Sequence, residues 1–468
     1  MSLEDRLYPL LGLYQRLPDK VKSTIGAAYR ILPRPVKWGK AYTDFRELTL
    51  EAESWSPDQV WEYQYTQLKR TLNNAANFCP LYHQRFLENQ FNVQKLRSPD
   101  DLAACPMLEK QDLVNHIDDL VSSDIPKSGR LYITTGGSTG TPVGFHLQKG
   151  VSRPKEQAFL EAMWRRAGYE DGDRLVVVRG HVTDSASKGR IDSYDPTRDW
   201  LMLSSYHLTL DRLAEYLEAV ERFRPDILHI YPSAALILAE YLEKSGQSWR
   251  MPLKAVLCGS ERLTIPQKRL LEKTFGCRVY RWYGHSERVI LAGEGRDSEY
   301  FYFFPQYGYV EFGPKDEDGF QEVIGTSFHN MAMPLIRYRT GDHVRLLDGP
   351  GDREFFWPTI TEIAGRDQEF LVSASHRRIS LTAFNMHSDV FDGLYAVQFY
   401  QDTPGVVEFR YQPAGWFDPS RLTHIEKIIT SKLGDDFHIT TRQVAETEKT
   451  SRGKHQWVIQ KLNLSDLI

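Results

Sequence analysis

Apolar and polar positions recur along this chain with two different periods, and the change from one to the other divides it. Between residues 174 and 283 four short runs, three rich in Val, Ile and Leu (174–179, 226–231 and 253–258) and one in aromatic residues (278–283), alternate with stretches of helical spacing. The stretch 210–223 carries apolar residues at 210, 213, 217, 220 and 223, the stretch 234–244 is closed by Gly246, and a third covers 265–274. A short run apolar throughout fits a strand covered on both faces. Strands alternating with helices predict a parallel sheet flanked by helices, with ligands gathered where the strands end. After about residue 296 the runs become short strands between glycine turns (308–313, 319–327, 334–339), which predicts a small antiparallel sheet or barrel.

Upstream, Ser56-Pro57 offers a capping hydroxyl and a first-turn proline, and Val60, Trp61, Leu68, Leu72 and Ala75 then share one face. A further helix is expected over 107–120, leading into a strand at Leu131. Downstream, strands at 395–401, 406–412 and 437–444 with a helix at 420–433 make a small α+β lobe of about a hundred residues, enough for its own core. The expected fold class is therefore α/β, with a large domain over 1–364 and a small mobile lobe over 365–468 that turns on a hinge near 365–368.

The balance of 58 basic against 62 acidic residues, a formal −4, gives no field suited to nucleic acid. Cys79, Cys105, Cys258 and Cys277 lie too far apart for a zinc or redox pair and read as reduced thiols of a cytoplasmic protein. The segment holding Leu7, Leu10, Leu11 and Leu13 is broken by Pro9 and Pro18 and is too short to span a bilayer. It is expected to pack on its own domain in preference to a membrane surface or a partner.

Chemistry concentrates in loops. Thr135, Gly136, Gly137, Ser138, Thr139 and Gly140 follow the Leu131 strand, and the glycines let backbone N–H groups turn inward beside hydroxyl donors, an arrangement suited to polyphosphate. The Walker lysine is absent, because Thr141-Pro142 follows the last glycine. On these residues alone a plain surface loop stays open. Gly180-His181, Tyr231-Pro232-Ser233, Gly259-Ser260-Glu261 and Tyr283-Gly284-His285-Ser286-Glu287 all fall at strand ends and converge on one rim. Glu287, after a loop hydroxyl, suits a Mg²⁺ that needs only one or two carboxylates, or else marks a helix start. Tyr283 is a candidate for stacking on a base or for a core position, and Asp342 for holding ribose hydroxyls or forming a turn. Arg366 is a forked donor that could equally pair with Asp367, and Lys454 stands in a glycine turn where a solvated lysine is the plain alternative. His181 and His285 have no third ligand spaced with them, so they are read, with Tyr231 and Ser233, as lining a substrate pocket; Tyr206 and His207 lie near the same rim.

The ordered set resembles the adenylate-forming enzymes, the superfamily of acyl- and aryl-CoA synthetases, and within it the phenylacetate–CoA ligase and capsular-polysaccharide (CapK-like) branch. The motifs that carry the likeness are the phosphate loop at 135–142, the adenine loop Gly259–Glu261, the aromatic-Gly-x-Ser-Glu motif Tyr283–Glu287, the Tyr-Arg-Thr-Gly-Asp motif Tyr338–Asp342, the hinge 365–368 and the late Gly453-Lys454. The resemblance implies that ATP and Mg²⁺ are used, with Glu287 on the metal beside Ser286. It places the adenine near Gly259, Ser260, Glu261, Tyr283 and Gly284, the ribose at Asp342 and Arg366, and Lys454 on the reacting phosphate when the small lobe swings in. It implies a carboxylate-activating ligase that makes an acyl-adenylate from a small carboxylic acid and passes the acyl group to CoA, an amine or a sugar hydroxyl, in surface-polysaccharide synthesis and with a homodimer compatible. A nucleotidyltransferase that leaves AMP on its substrate and a degenerate nucleotide-binding scaffold subunit are the alternatives.

Two departures from the pattern stand out. Gln368 occupies the usual hinge acid or lysine, and the stretch 371–378 lacks the glycine that CoA ligases keep beside the thiol passage. Ser375, His376 and Arg377 would narrow that passage, so an amine or hydroxyl acceptor is expected in place of CoA.

Overall fold

A computed structural model describes residues 3, 7, 10, 13, 14 and 17–462, apart from 135–142, 181–190, 206–207, 209–211, 350–352, 365–369, 377, 381–388, 392, 414–416 and 449–456. The phosphate loop, His181, Arg366, Lys454, Tyr206, His207 and the hinge lie outside the described residues.

Five strands, Trp200–Ser204, Leu175–Arg179, Ile227–Ile230, Ala255–Cys258 and Val279–Gly284, pair in parallel in that spatial order. Their side chains alternate between two cores, as the pleat requires. Val176, Val178, Leu228, Ile230 and Val256 face the helices Leu213–Phe223, Pro232–Lys244 and Ile265–Phe275. Leu175, Val177, Ile227, Ala255 and Leu257 face Ser152–Arg166 and the aromatic residues of the N-terminal helices. Local signals set the helix ends: Ser56 and Gln59 close a reciprocal cap on Pro57–Phe78, Thr264 and Gln267 do so on Ile265–Phe275, and Gly276 ends the latter in the left-handed region at φ 67°.

The antiparallel strands continue this same sheet. Leu291–Glu294 pairs antiparallel with Val279–Gly284, and Phe301–Phe303, Thr359–Ala364, Tyr338–Leu346, Gln321–Ser327 and Gly308–Lys315 follow outward; Asp192–Asp195, antiparallel to Trp200–Ser204 at the other edge, makes the twelfth strand. This half curls back on the parallel half. Tyr338–Leu346 is four strands removed from Val279–Gly284, about 19 Å in a flat sheet, yet Tyr283 touches Asp342 at 2.9 Å. Gly308 and Gly325 lie so close to Val289 that a Cβ on either would stand 2.1 and 2.7 Å from its atoms.

The expected strand at Leu131 is present as Arg130–Thr134, which among the described residues pairs only with Gly144–Gln148 in a two-stranded ribbon apart from the large sheet. Two expectations are corrected. The expected helix over 107–120 is two short helices, Lys110–Asn115 and Ile117–Leu120, broken at His116. Leu7, Leu10 and Leu13 stand exposed. The helix Ser152–Arg166, which buries polar side chains such as Lys155, Glu161 and Arg166 beside its apolar ones, and the strands Asp192–Asp195 and Trp200–Ser204 were not foreseen. At the C-terminal end Leu394–Thr403, Val406–Pro413, His438–Gln443 and Val458–Gln460 form a four-stranded sheet packed on the helix Leu422–Leu433. Cys79, Cys105 and Cys258 are buried free thiols, and burial pushes Cys79 and Cys105 up to about 12. No helix among the described residues is long and apolar enough to cross a membrane.

Candidate active site

The curl of the sheet brings two motifs into reciprocal contact. Each begins with a tyrosine and ends, four residues on, with an acid: Tyr283 to Glu287, and Tyr338 to Asp342. The Tyr283 hydroxyl donates to Oδ2 of Asp342 at 2.9 Å, and the Tyr338 hydroxyl donates to Oε1 of Glu287 at 3.1 Å. Burial first, and the facing carboxylate second, push both phenols well above their ordinary range, so each remains a donor. A hydrogen bond to a charged acceptor is worth about 1.5–3 kcal/mol. Two of them hold two half-buried carboxylates at fixed orientation.

Among the described residues neither acid is paired with a cation. Arg288, the next residue after Glu287, takes a left-handed backbone at φ 55° that turns its guanidinium away, to the Ser152 carbonyl at 3.2 Å and towards Glu156 at 3.7 Å. Glu287 has no ion pair among the described residues, and Tyr338 occupies only one of its oxygens. A hard oxygen donor left uncompensated in this way fits a cation such as Mg²⁺, which takes few protein carboxylates. Among the described residues no group of three or more His, Cys, Asp and Glu could hold a metal on protein ligands alone. Thr340 supports the other acid: its Oγ1 accepts from the Asp342 amide at 3.1 Å and donates to the Val323 carbonyl at 2.7 Å, while Gly341 makes the turn at φ 71°.

Tyr283 is buried, edge-on to Phe303 at 5.9 Å and near the His285 ring at 6.2 Å. Both ring nitrogens of His285 are shielded from solvent and without a hydrogen-bond partner among the described residues. Gly284 is exposed and Ser286 half-buried on the same turn. Gly259 is required where it stands, since a Cβ there would lie 2.2 Å from the Trp282 indole. Ser260 follows at φ 70°. Glu261 and Ser233 are brought together: the carboxylate accepts from the Ser233 amide at 2.8 Å and its hydroxyl at 3.1 Å, capping Pro232–Lys244 at its positive end.

Sequence reasoning passed over Arg179. It ends an all-apolar strand on the ligand side of the sheet, and a charge in that position was the available signal. Its guanidinium lies 4.6 Å over the buried Tyr231 ring, donates to Ser260 Oγ at 2.6 Å and donates to Nε2 of His229 at 2.9 Å. Since arginine only donates, Nε2 of His229 must be the acceptor, which makes the imidazole neutral with its proton on Nδ1. The His229 ring stands between Trp164 and Trp282 at 5.5 and 5.4 Å.

A parallel sheet continued by a curled antiparallel half, with an α+β lobe at the C-terminus, is the architecture of the adenylate-forming ligases. The chain matches 2-hydroxyisobutyryl-CoA ligase, solved with 2-HIB-AMP and CoA in the thioesterification state, at a TM-score of 0.56 and 16% identity over 89% of this chain and 93% of that one. The same ligase in the postadenylation state with 2-HIB-AMP matches at 0.52 and 16% identity over 85% and 88%. In sequence the chain is 27% identical over 338 residues to the phenylacetate-coenzyme A ligase of Pseudomonas putida, covering 70% of this chain and 75% of that one. It is 24% identical over 320 residues to the protein CapK of Staphylococcus aureus, covering 68% and 70%. No family profile matches the chain. In fold the protein is similar to the adenylate-forming ligases, and in sequence it is related to CapK and the phenylacetate–CoA ligases.

Proposed function

We propose that this protein uses ATP to activate a small carboxylic acid as its acyl-adenylate and then transfers the acyl group to an acceptor. A carboxylate oxygen of the acid attacks the α-phosphorus of ATP, and the bond to the pyrophosphate oxygen breaks. The observation that carries this reading is the crossed pair Tyr283–Asp342 and Tyr338–Glu287, which orients two acids side by side with no cation among the described residues paired to either. Asp342 is suited to accept two ribose hydroxyls, Gly259 to give a flat approach for adenine beside Trp282, and His285 to offer its unspent nitrogens to the acid or the phosphate. Glu287 would hold Mg²⁺, which when bound supplies charge neutralisation on the phosphates. On this reading residues 1–364 bind ATP and acid, with the loop 135–140, Arg366 and His181 completing the site. Residues 365–468 form the lobe that brings Lys454 to the α-phosphate, where a cation stabilises charge developing in the transition state.

The names of the relatives support CoA as the acceptor. A second reading, transfer to an amine or a sugar hydroxyl as in polysaccharide assembly, is favoured by His376. It takes φ 62°, the conformation a glycine favours, and carries an exposed imidazole there, in a loop tied by Ser375 to Asp436. Pyrophosphate release over a panel of acids, with and without CoA and with mass spectrometry of the products, separates the two. Acyl-CoA formed as fast as adenylate establishes the first. Release that CoA does not accelerate, with thioester gained in His376→Gly, establishes the second. AMP retained on the product would make the protein a nucleotidyltransferase, and no release with any acid would leave it a nucleotide-binding scaffold.

A further inference from the structure

The N-terminal residues carry an apolar face that no described residue covers. Seven of the seventeen large apolar side chains exposed among the described residues fall between residues 7 and 36: Leu7, Leu10, Leu13, Val21, Ile25, Ile31 and Val36. The helix Asp19–Ile31 shows how they come to be outside. It docks through its one buried residue, Gly26, whose missing side chain admits Pro196 so closely that a Cβ would stand 2.5 Å away. Arg30 fixes the same side of the helix with an ion pair to Asp199 at 3.0 Å and a hydrogen bond to Tyr194. At 100° per residue, Val21, Thr24, Ile25, Ala28 and Ile31 then lie on the opposite side, as one stripe turned to solvent. An amphipathic helix that packs by its glycine and presents its aliphatic stripe outward is inverted relative to a helix that merely covers a core.

Charge decides what the stripe meets. Residues 1–40 hold eight Lys and Arg against three Asp and Glu, a net of +5 in a chain whose total is −4; Arg30, Arg34 and Lys40 are paired with acids outside that stretch, which leaves the charge beside the stripe to Lys20 and Lys22. Lys20 and Lys22 flank the stripe. Lys20 has no partner among the described residues, and Lys22 is only loosely paired with Asp19, at 3.6 Å. A second copy of the chain docked on this face would set one positive patch against another, which opposes association. An anionic surface that accepts aliphatic side chains meets both features, and an apolar stripe bordered by lysines is the pattern of helices that lie in the headgroup region of a bilayer. We propose that the helix Asp19–Ile31, together with the exposed side chains of Leu7, Leu10, Leu13 and Val36, is a membrane-surface anchor that seats the enzyme on anionic phospholipid, without spanning the bilayer. This inference is independent of the acid and acceptor the enzyme uses.

Flotation of the full chain with vesicles of phosphatidylcholine, with and without phosphatidylglycerol, at low and high salt, tests it. Binding is expected only to the vesicles containing phosphatidylglycerol, and salt is expected to weaken it as the surface charge is screened. The double variant Val21→Asp/Ile25→Asp should float at least about tenfold less, with its thermal midpoint unchanged because both positions are exposed. Lys20→Glu, which leaves the stripe intact, should also lose binding. The proposal is overturned if the wild-type chain floats with neither vesicle, or if it binds both equally. It is likewise overturned if sedimentation shows a dimer that Val21→Asp/Ile25→Asp dissociates, for the face would then belong to a second copy.

Discussion

Tyr338 donates its hydroxyl to Glu287 across 3.1 Å, although the two are fifty-one residues apart and Tyr338 begins a different motif. The relationship is mirrored by Tyr283 and Asp342, so each motif supplies the donor that orients the other's acid. The two motifs therefore act as one unit. A change in the aromatic residue of either is expected to appear in the function of the opposite carboxylate.

Tyr338→Phe removes one hydroxyl from a buried position and frees the Glu287 carboxylate to rotate. The half-saturating Mg²⁺ concentration for pyrophosphate release should rise about tenfold, as for other groups that orient a metal-binding side chain. Unfolding stability should fall by about 1–2 kcal/mol for the lost hydrogen bond. A magnesium titration beside a denaturant curve checks both. An unchanged magnesium requirement would mean that the contact serves packing alone.

Glu287→Gln keeps an oxygen to accept the Tyr338 hydroxyl, so the fold should persist with a thermal midpoint close to that of the wild type. The charge that a hard cation needs is gone, and magnesium-dependent turnover should be lost. Wild-type turnover at ordinary magnesium would show that the metal is held elsewhere.

Lys454→Ala should lower the rate of adenylation on the order of 10²–10³, the loss expected when one donor to the transition state is removed. ATP affinity should change little. Titration of ATP binding by calorimetry, set against pyrophosphate release, separates the two, and an equal loss in both would take Lys454 out of the chemical step.

Gly259→Ala places a methyl group 2.2 Å from the Trp282 indole, a rigid neighbour that is itself packed on His229. Relief requires the loop to move, at a cost of roughly 1–3 kcal/mol. Ser260 and its bond to Arg179 move with it, so the KM for ATP should rise together with the drop in thermal midpoint.

Lys155 is buried, stands 3.6 Å over the Tyr307 ring and donates to the Phe328 carbonyl at 3.3 Å. Burial lowers it to about 7 from an ordinary 10.5, with Arg288 adding to the effect and Glu156 opposing it. Between those values the unfolded chain binds the proton that the native one has released, so wild-type stability gains with rising pH through this window. Lys155→Met removes that linkage. Its stability advantage over wild type should be largest near pH 6 and shrink by about 1.4 kcal/mol per pH unit between roughly pH 7 and 9. Denaturant unfolding at three pH values checks the sign.

The parallel half of the fold was legible in the chain because strands covered on both faces leave uninterrupted apolar runs, as at Leu175–Val178 and Ala255–Cys258, and because helix ends are written locally, as at Ser56-Pro57 and Gly276. The order of the motifs, and with it the class of enzyme, was legible for the same reason: each is a short local sequence. The separation of the Leu131 strand into its own ribbon was not legible, because a run of apolar residues does not say which strand it will pair with. Neither was the outward turn of Val21, Ile25 and Ile31, which follows from Gly26 meeting Pro196, a contact 170 residues distant. The crossing of Tyr283 with Asp342 and Tyr338 with Glu287 depends on the curl of a twelve-stranded sheet, and the placing of Arg179 over Tyr231 depends on strand order. Residue identity determined which groups could donate, accept or carry charge. Only the tertiary structure decided which of them meet, since hydrogen bonds and ion pairs act over a few ångströms while the residues that make them lie tens to hundreds of positions apart along the chain.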